Sequence, residues 1–516
     1  MNGAESLIRT LVKADVDVCF ANPGTSEMHL VQAIDAVPEM RPVLALFEGV
    51  CTGAADGYGR MKGTPATTLL HLGPGLGNGI ANLHNARRAS TPIINLIGNH
   101  ALYHVEYDAP LTSDIDTLAK NVSSWIKSDS TADSLAKDAM DALHSAMMAK
   151  AGSSGQISTM IIPADACWNE TANNSSVVST KPVRAKVDDA VVKAVADKID
   201  GNSMILLNYD GLSVASRIAA CRISALTGCR VVLTTFPARV DGGPGLPVIE
   251  RLPYFPEHIL KFLGDVSTLV LAGSEAPVSF FAYPKIPSLL VPATCEAITL
   301  AKGEEDVSNA LESLADLMNA PQSGYEVYEN TLPDMPDGAL SVGATAAIIA
   351  RLLPENAILC GDSGGGGAVF EPAQRAVPNT WLNLTGGSIG QGGPVAIGAA
   401  VARPDCRVLA LLGDGASMYT NQSYWTQARE GLDVTTVIFN NRQYGILETE
   451  YLRLGVNEIG KSAASMFDLS TPAIDFVSLG GSMGVPGRVA TNCAEFHAAL
   501  ETSFSQSGPY LIEARI

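Results

Sequence analysis

A chain of 516 residues has material for about three domains of ordinary size. Its net charge of −19 argues against nucleic acid or an anionic membrane as main partner, since both need a basic surface. With 47% hydrophobic and 17% charged residues it is not a disordered chain.

The opening stretch, MNGAESLIRTLVKADVD, carries an early acid and no apolar h-region, so it does not read as a secretory signal. Apolar runs are interrupted well short of the ~20 residues of a spanning helix. A cytoplasmic protein without membrane or nucleic-acid partners is expected. The nine cysteines are scattered with no CxxC pair, which fits buried thiols rather than a zinc site or a disulfide framework.

The first block spans about 1–170. A helical pattern leads into the apolar run Val16–Ala21, followed by strands at Val43–Phe47, Thr67–Leu70, Pro92–Ile97 and Gln156–Ile162. Helical stretches and Gly-rich turns alternate with these strands, the β-α-β rhythm of a doubly wound parallel sheet. Glu48 follows the second strand directly. His71 follows the third and opens the loop HLGPGLGN. Asn22-Pro23-Gly24-Thr25-Ser26-Glu27 follows the first. All three places lie at strand ends, where open α/β sheets bind ligands. For Thr25 and Ser26 the plain alternative is capping of the next helix.

A polar stretch at 169–186 reads as a linker. The second block, 187–320, repeats the rhythm with strands at MILLNY, RVVLTT, TLVLAG and SLLV. A second polar, Pro-bearing stretch separates it from the third block, 339–516, with strands at AILCG, RVLALLG, VTTVIFN and PYLIEAR. The fold class expected is therefore α/β, with three doubly wound parallel-sheet domains.

Glycine, 48 residues in all, clusters at GPGLGNG (73–79), GDSGGGG (361–367), GGSIGQGG (386–393) and GDG (413–415). Bare backbone at strand ends suits a large cofactor held by loops. Gly413-Asp414-Gly415 ends one apolar strand and Asn440-Asn441 ends the next, with 24 residues (416–439) between the motifs. A carboxylate and an amide oxygen are hard donors suited to Mg²⁺, which completes its octahedron with phosphate oxygens and water. The stretch ASMYTNQSYWTQARE reads as one helix, so the amides of Gly415, Ala416 and Ser417 would face a diphosphate.

GDG followed by NN at this spacing resembles the motif of the thiamine-diphosphate-dependent 2-oxo acid decarboxylase and acetolactate synthase superfamily. The likeness extends over nearly the whole chain and is strongest toward benzoylformate decarboxylase-like and short, mycobacterial-type acetolactate synthase-like proteins. It implies a pyrimidine-binding domain (1–170), a middle domain (187–320) and a diphosphate-binding domain (339–516). Mg²⁺ would be bound by Asp414, Asn441 and the carbonyl of Gln443. Ile389 would wedge between the cofactor's rings, with the Gly387 carbonyl accepting from the pyrimidine amine. Ser363 is the one hydroxyl kept where relatives place Ser and Thr for the diphosphate. Glu48 would share a proton with pyrimidine N1′ so that the ylide can form. His71 would serve the substrate carboxylate or move protons, and Thr25, with Ser26 beside it, would face the substrate.

The resemblance implies an enzyme, a carbon–carbon lyase or transferase, that decarboxylates a 2-oxo acid to an enamine (acyl carbanion equivalent). That species is then protonated or passed to a second carbonyl. A homodimer or homotetramer with sites shared between subunits is implied. Six residues past Asn441 stands Leu447, where pyruvate decarboxylases carry Glu. The middle-domain stretch 276–283, with Phe281, has no histidine. No Gln-Trp-Gln-like segment follows Asn441, as true acetolactate synthases would have. Leu447 and Phe281 are thus expected to line an apolar pocket. Within the family the alternative is a true acetolactate synthase that transfers the acetaldehyde unit to a second 2-oxo acid, and two alternatives of other kinds remain. One is a flavin or nicotinamide oxidoreductase, although the first block lacks GxGxxG after its first strand, which disfavours FAD. The other is a regulatory homologue that binds thiamine diphosphate without turnover.

Overall fold

The computed structural model describes residues 1–148, 156–172 and 182–516. Residues 173–181, half of the stretch expected as a linker, lie outside the described residues.

Three sheets organise the chain. The first uses β1 (Val18–Asn22), β2 (Arg41–Leu44), β3 (Ala66–His71), β4 (Pro92–Asn99), β5 (Trp125–Lys127) and β6 (Gln156–Pro163), in the order β2-β1-β3-β4-β6-β5. Every pairing in it is parallel. Parallel strands need crossover helices on both faces, which is why β4 is buried up to its last residue and β6 throughout.

The second sheet holds β7 (Ser203–Leu207) and β8 (Arg230–Leu233). After the detour of β9 (Arg239–Gly242), it continues with β10 (Glu250–Arg251), β11 (Thr268–Ala272) and β12 (Glu296–Ala301), in the order β10-β8-β7-β11-β12. The expected strand SLLV is not one. Pro287 and Pro292 flank it and deny the ladder its donors, and only an isolated bridge from Leu289 to Val278 forms there. The neighbouring EAITLA segment is β12 instead, pairing in parallel with β11.

The third sheet comprises β13 (Ala357–Asp362), β14 (Asn379–Leu382), β15 (Val408–Gly413), β16 (Val434–Asn440), β17 (Gly487–Ala490) and β18 (Tyr510–Arg515), in the order β17-β18-β16-β15-β13-β14-β9. Its last member is antiparallel in a sheet whose other pairings are parallel, as expected for a doubly wound domain. Strand β9 leaves the middle segment and pairs antiparallel with β14, from Asn379↔Gly242 to Leu382↔Arg239.

The first and third sheets are joined by two helices. Helix α1 (Glu48–Lys62) is buried through Met61, and α2 (Gly392–Ala402) is buried throughout. Gly57 lies against the Val395 carbonyl and Gly398 against that of Ala54; a Cβ at either would overlap backbone, so glycine sets how closely the helices cross. Arg60 fastens the crossing, donating to the Asn383 carbonyl at 2.6 Å and to Asp56 through Nε at 2.8 Å. The expected helix over 416–430 is broken. One turn covers Asp414–Ser417 and a second helix Ser423–Arg429. Between them the Thr420 hydroxyl donates to the Gly390 carbonyl at 2.7 Å, a side-chain bond that competes with helical continuation.

Candidate functional site

The site residues fall into two clusters, one on the first sheet and one on the third. Glu48 does not directly follow a strand. Strand β2 stops at Leu44, three residues turn the chain, and Phe47 is the extended N-cap of α1. Glu48 is therefore the first helical residue, favourable for a carboxylate beside the helix dipole. It is 7% exposed. Its Oε2 accepts from Asn78 Nδ2 at 2.9 Å, and Oε1 lies over Gly75, where a Cβ would come within 3.0 Å.

His71 ends β3 and is the N-cap of helix α3 (Leu72–Arg88). Its Nδ1 lies 2.8 Å from Glu27 Oε2 and 3.1 Å from the Ser26 hydroxyl. Glu27, fully buried, also accepts from Gly24 N at 2.8 Å and from Ser26 Oγ at 2.7 Å. A carboxylate at Nδ1 fixes the proton there and leaves Nε2 as the outward-facing nitrogen. The cap of the following turn comes from Glu27, while the Thr25 side chain is exposed. Sequence reasoning missed Glu27, although it stands in the same loop. A Glu beside a helix start is so often a plain cap that nothing in the sequence gave it a partner 44 positions away.

On the third sheet, Gly413 pairs with Phe439, so Asp414 leaves the end of β15 beside Asn440, and Asn441 follows as the first residue past β16. Asp414 Oδ1 accepts from Gly415 N at 2.8 Å and Oδ2 from Arg442 N at 2.7 Å. Burial pushes its carboxyl above the usual range, and the N–H groups of Gly415, Arg442 and Gln443 offset part of this. The two asparagines have separate tasks. Asn440, buried, donates to the fully buried Glu513 at 2.9 Å. Asn441 is exposed, with its oxygen taking Gln443 N at 3.2 Å. Between Asn441 and Gln443, Arg442 adopts φ +57°, a left-handed conformation that costs a non-glycine residue about 1 kcal/mol or more and turns Gln443 back toward Asp414.

Gly387, φ +76°, and Ile389 lie in the loop between β14 and α2. Asp362, the last residue of β13, holds that loop: its Oδ2 accepts from Gly390 N and Gly392 N, both at 2.9 Å. It is 1% exposed, Oδ1 has no hydrogen-bond partner among the described residues, and burial pushes its pKa up to about 7. Asp362 was legible only as part of GDSGGGG, where Ser363 drew attention as a phosphate donor. The Ser363 oxygen caps Gly364–Gly367 by accepting from Gly366 N at 2.9 Å, so its proton is what remains to donate. The Ser417 hydroxyl is engaged too, donating to the Asp414 carbonyl at 2.8 Å, and Ala416 is buried beside it.

Two stretches match families, residues 1–120 the thiamine pyrophosphate enzyme N-terminal TPP binding domain and residues 339–514 the corresponding C-terminal domain. The acetolactate synthase-like protein IlvX of Mycobacterium tuberculosis is 48% identical over 99% of this chain and 98% of its own. The chain belongs to the thiamine-diphosphate enzyme family. Benzoylformate decarboxylase of Pseudomonas aeruginosa is 25% identical over 96% of this chain and 95% of its own. Among solved structures, the thiamine diphosphate-dependent 4-hydroxybenzoylformate decarboxylase of Rhodococcus jostii RHA1 superposes with a TM-score of 0.85 over 100% of this chain and 99% of that one. At 22% identity this speaks for the fold alone. This thiamine-diphosphate enzyme is of the decarboxylase/acetolactate synthase-like kind, a lyase or transferase.

The middle segment of this thiamine-diphosphate enzyme reaches the loop between β14 and α2 through aromatics. The Phe280 ring lies against Gly387, where a Cβ would come within 2.7 Å of it. Phe281 stacks edge-on behind it with ring centroids 4.8 Å apart and is 54% exposed. Phe236 and Tyr254 complete the group, each within 6 Å of Phe280. Leu447, 43% exposed, sits on helix α4 (Gly445–Arg453), which has no buried residue. That helix is tied to the middle segment by Arg453, which is bonded to Glu257 and packed over the Phe255 and Tyr283 rings at 4.3 and 4.9 Å. Tyr283 OH donates to Glu450 at 3.1 Å. Among the described residues no three His, Cys, Asp or Glu side chains gather into a metal cluster, and no helix is long and apolar enough to cross a membrane.

Proposed function

We propose that this chain is a thiamine-diphosphate- and Mg²⁺-dependent 2-oxo acid decarboxylase and carboligase. In this reading it works as a homodimer or homotetramer, with Glu48 of one subunit and Asp414 of another in each site. The observation that supports catalysis over mere binding is Glu48. It is a buried carboxyl at a helix start, steadied through one oxygen by Asn78, while glycine at residue 75 leaves room beside Oε1 that a Cβ would fill. Holding a cofactor does not require such a group; exchanging a proton with it does.

Bound thiamine diphosphate supplies the electron sink that makes loss of CO₂ from a 2-oxo acid feasible. The residues fit Mg²⁺: Asp414 is a buried carboxylate whose partners are backbone N–H groups, Asn441 and the Gln443 carbonyl add hard oxygens, and a cation would relieve the burial cost. The Gly415, Ala416 and Ser417 amides with Ser363 would hold the diphosphate. Gly387 and Ile389 would cradle the rings. His71, fixed by Glu27, would present Nε2 to the substrate beside Thr25 and Ser26.

Ile389, Leu447, Phe280 and Phe281 would form an apolar wall that keeps water from the carboxylate. Loss of CO₂ disperses charge, so a drier site favours that step. None of these side chains carries a transferable proton. Proton-bearing groups of the site would be His71 and Glu48, and a wall that supplies no proton would leave a second carbonyl free to compete for the product of decarboxylation. The likeness to acetolactate synthase-like IlvX supports this carboligase outcome.

The test is a screen of 2-oxo acids against purified protein with Mg²⁺ and thiamine diphosphate, following CO₂ and identifying products by mass spectrometry. CO₂ with a 2-hydroxy ketone or 2-hydroxy-3-oxo acid is the expected result, and an aldehyde alone would restrict the activity to decarboxylation. No CO₂ from any substrate at full cofactor occupancy would overturn the proposal in favour of a non-catalytic homologue.

A further inference from the structure

One face of helix α3 carries Asn78, Asn82 and Asn85, spaced i, i+4 and i+7. Residues so spaced stack along one side of a helix. Each points its amide at something different. Asn78 donates to the Glu48 carboxylate at 2.9 Å. Asn82, 3% exposed, donates to the Gly49 carbonyl at 2.7 Å. Asn85, fully buried, donates to the Ser388 carbonyl at 2.8 Å and accepts from Ser388 N at 3.2 Å, and it also reaches Asn82 Oδ1 at 3.3 Å. An asparagine amide set against one residue's N–H and C=O copies a strand-like pairing and fixes that peptide segment at two points.

Further contacts complete the grip. His84 Nε2 donates to the Gly386 carbonyl at 3.1 Å, and Thr385 Oγ1 donates to the Asn85 carbonyl at 2.7 Å. Burial holds His84 below its usual pKa, and Arg87 and Arg88 push in the same direction, so the ring is a neutral N–H donor at neutral pH. Residue 386 must be glycine to lie this close, since a Cβ there would stand 2.8 Å from the His84 ring and 2.9 Å from Asn85 Cα. Residues 385, 386 and 388 are all held, and Gly387 and Ile389 are the residues in between and next along.

We propose that Asn85, assisted by His84, is a positioning residue for the ring-binding part of the cofactor site: it fixes the 385–388 backbone so that Gly387 and Ile389 are presented in one geometry. Among the described residues no side-chain hydrogen bond joins the clamp to Asp414, Asn441 or Ser363. Its loss should weaken contacts to the cofactor's rings and spare those to the diphosphate. The inference rests on the site reading above, in which Gly387 and Ile389 meet the rings and Asp414 with Asn441 meets the metal-bound diphosphate.

The test measures Mg²⁺-dependent binding of thiamine diphosphate and, separately, of inorganic diphosphate by calorimetry on the full-length protein. Asn85→Ala should weaken thiamine diphosphate at least tenfold and change inorganic diphosphate by less than about twofold, which at tenfold corresponds to about 1.4 kcal/mol. His84→Ala, at a half-buried and more tolerant position, should show the same selectivity at a few-fold. Hydrogen exchange supplies a second readout: amides of 385–389 should exchange faster in Asn85→Ala and those of 414–417 should not. Equal weakening of both ligands, or of neither, in a folded variant overturns the proposal. If Asn85→Ala does not fold, His84→Ala decides by the same criteria. If the parent protein binds thiamine diphosphate but no inorganic diphosphate, the Asp414–Asn441 reading fails instead, and the clamp stands or falls on the exchange pattern.

Discussion

Replacing Asp362 with asparagine separates the charge of this residue from its hydrogen bonds. A single oxygen, Oδ2, takes both Gly390 N and Gly392 N, so the asparagine Oδ1 can take both in its place. What disappears is the ionisation. With its pKa raised from 3.8 to about 7, folded Asp362 keeps a proton between roughly pH 4 and pH 7 that the unfolded chain has released. Unfolding then releases a proton, so stability falls as pH rises through that window and levels off above it. At 1.36 kcal/mol for each tenfold step the full displacement is worth about 4 kcal/mol. Relaxation and water entry reduce this to about 1–3 kcal/mol, since effective interior dielectrics exceed the dry-protein value. The asparagine NH₂ will sit where Oδ1 now has no partner, at a cost of about 1–3 kcal/mol that does not vary with pH. Urea midpoints of cofactor-free parent and Asp362→Asn protein at pH 5 and pH 8 measure the difference. The parent should lose more stability over this range, by about 1–3 kcal/mol. Asp414, whose carboxyl is also raised by burial, contributes with the same sign to both proteins and cancels. Parallel pH dependences would refute the reasoning.

Asp414→Ala and Asn441→Ala should each abolish tight cofactor binding; normal thiamine diphosphate content in the purified variants would show that neither holds the metal. Glu48→Gln should still bind thiamine diphosphate but slow its C2–H exchange into deuterated water by orders of magnitude. His71→Ala should leave that exchange near the parent rate and impair steps involving substrate. Mixing Glu48→Gln with Asp414→Ala chains should restore one competent site per mixed dimer, and no recovery after subunit exchange would argue against shared sites. Arg453→Ala should speed hydrogen exchange across 445–453 while lowering global stability by less than about 1 kcal/mol, because its ion pair is partly exposed and the helix it anchors has no buried residue.

The elements read most easily from the sequence were those with one local signature. GDG and NN each end an apolar run, and buried parallel strands announce themselves by such runs. Strand β9 carried no such signal. RVDG is short, and two of its four residues are charged, because it is an edge strand whose place is set by pairing with β14 some 140 residues later. SLLV looked like a strand by composition and failed on flanking prolines. At the candidate site, Glu48 stood out in the sequence through the segment that follows it. Glu27, Asp362 and Asn85 did not, because what defines each is a partner far along the chain: His71, the Gly390–Gly392 backbone and Ser388. Phe280 and Phe281 are adjacent and alike in sequence. Only the course of the middle segment decides that Phe280 meets Gly387.

Helix α3 gives a physical reason for keeping both halves of the cofactor site on one chain even though, in the proposed assembly, a chain's two halves serve different sites. At 1.5 Å per residue, Asn78 and Asn85 stand about 10 Å apart along the helix axis. One end of that span steadies Glu48 and the other steadies the loop carrying Gly387 and Ile389. A continuous helix resists changes of this length because its hydrogen bonds would have to break, and Asn85 and Asn82 link Ser388 by hydrogen bonds to the first turn of α1, where Glu48 sits. The crossing of α1 with α2 removes the remaining freedom: glycine at 57 and 398 lets the two backbones touch, and contacts of that kind have no soft side chain to yield. In the proposed assembly, loop geometry at one site and carboxyl geometry at the next would then be set by the same rigid piece of the molecule.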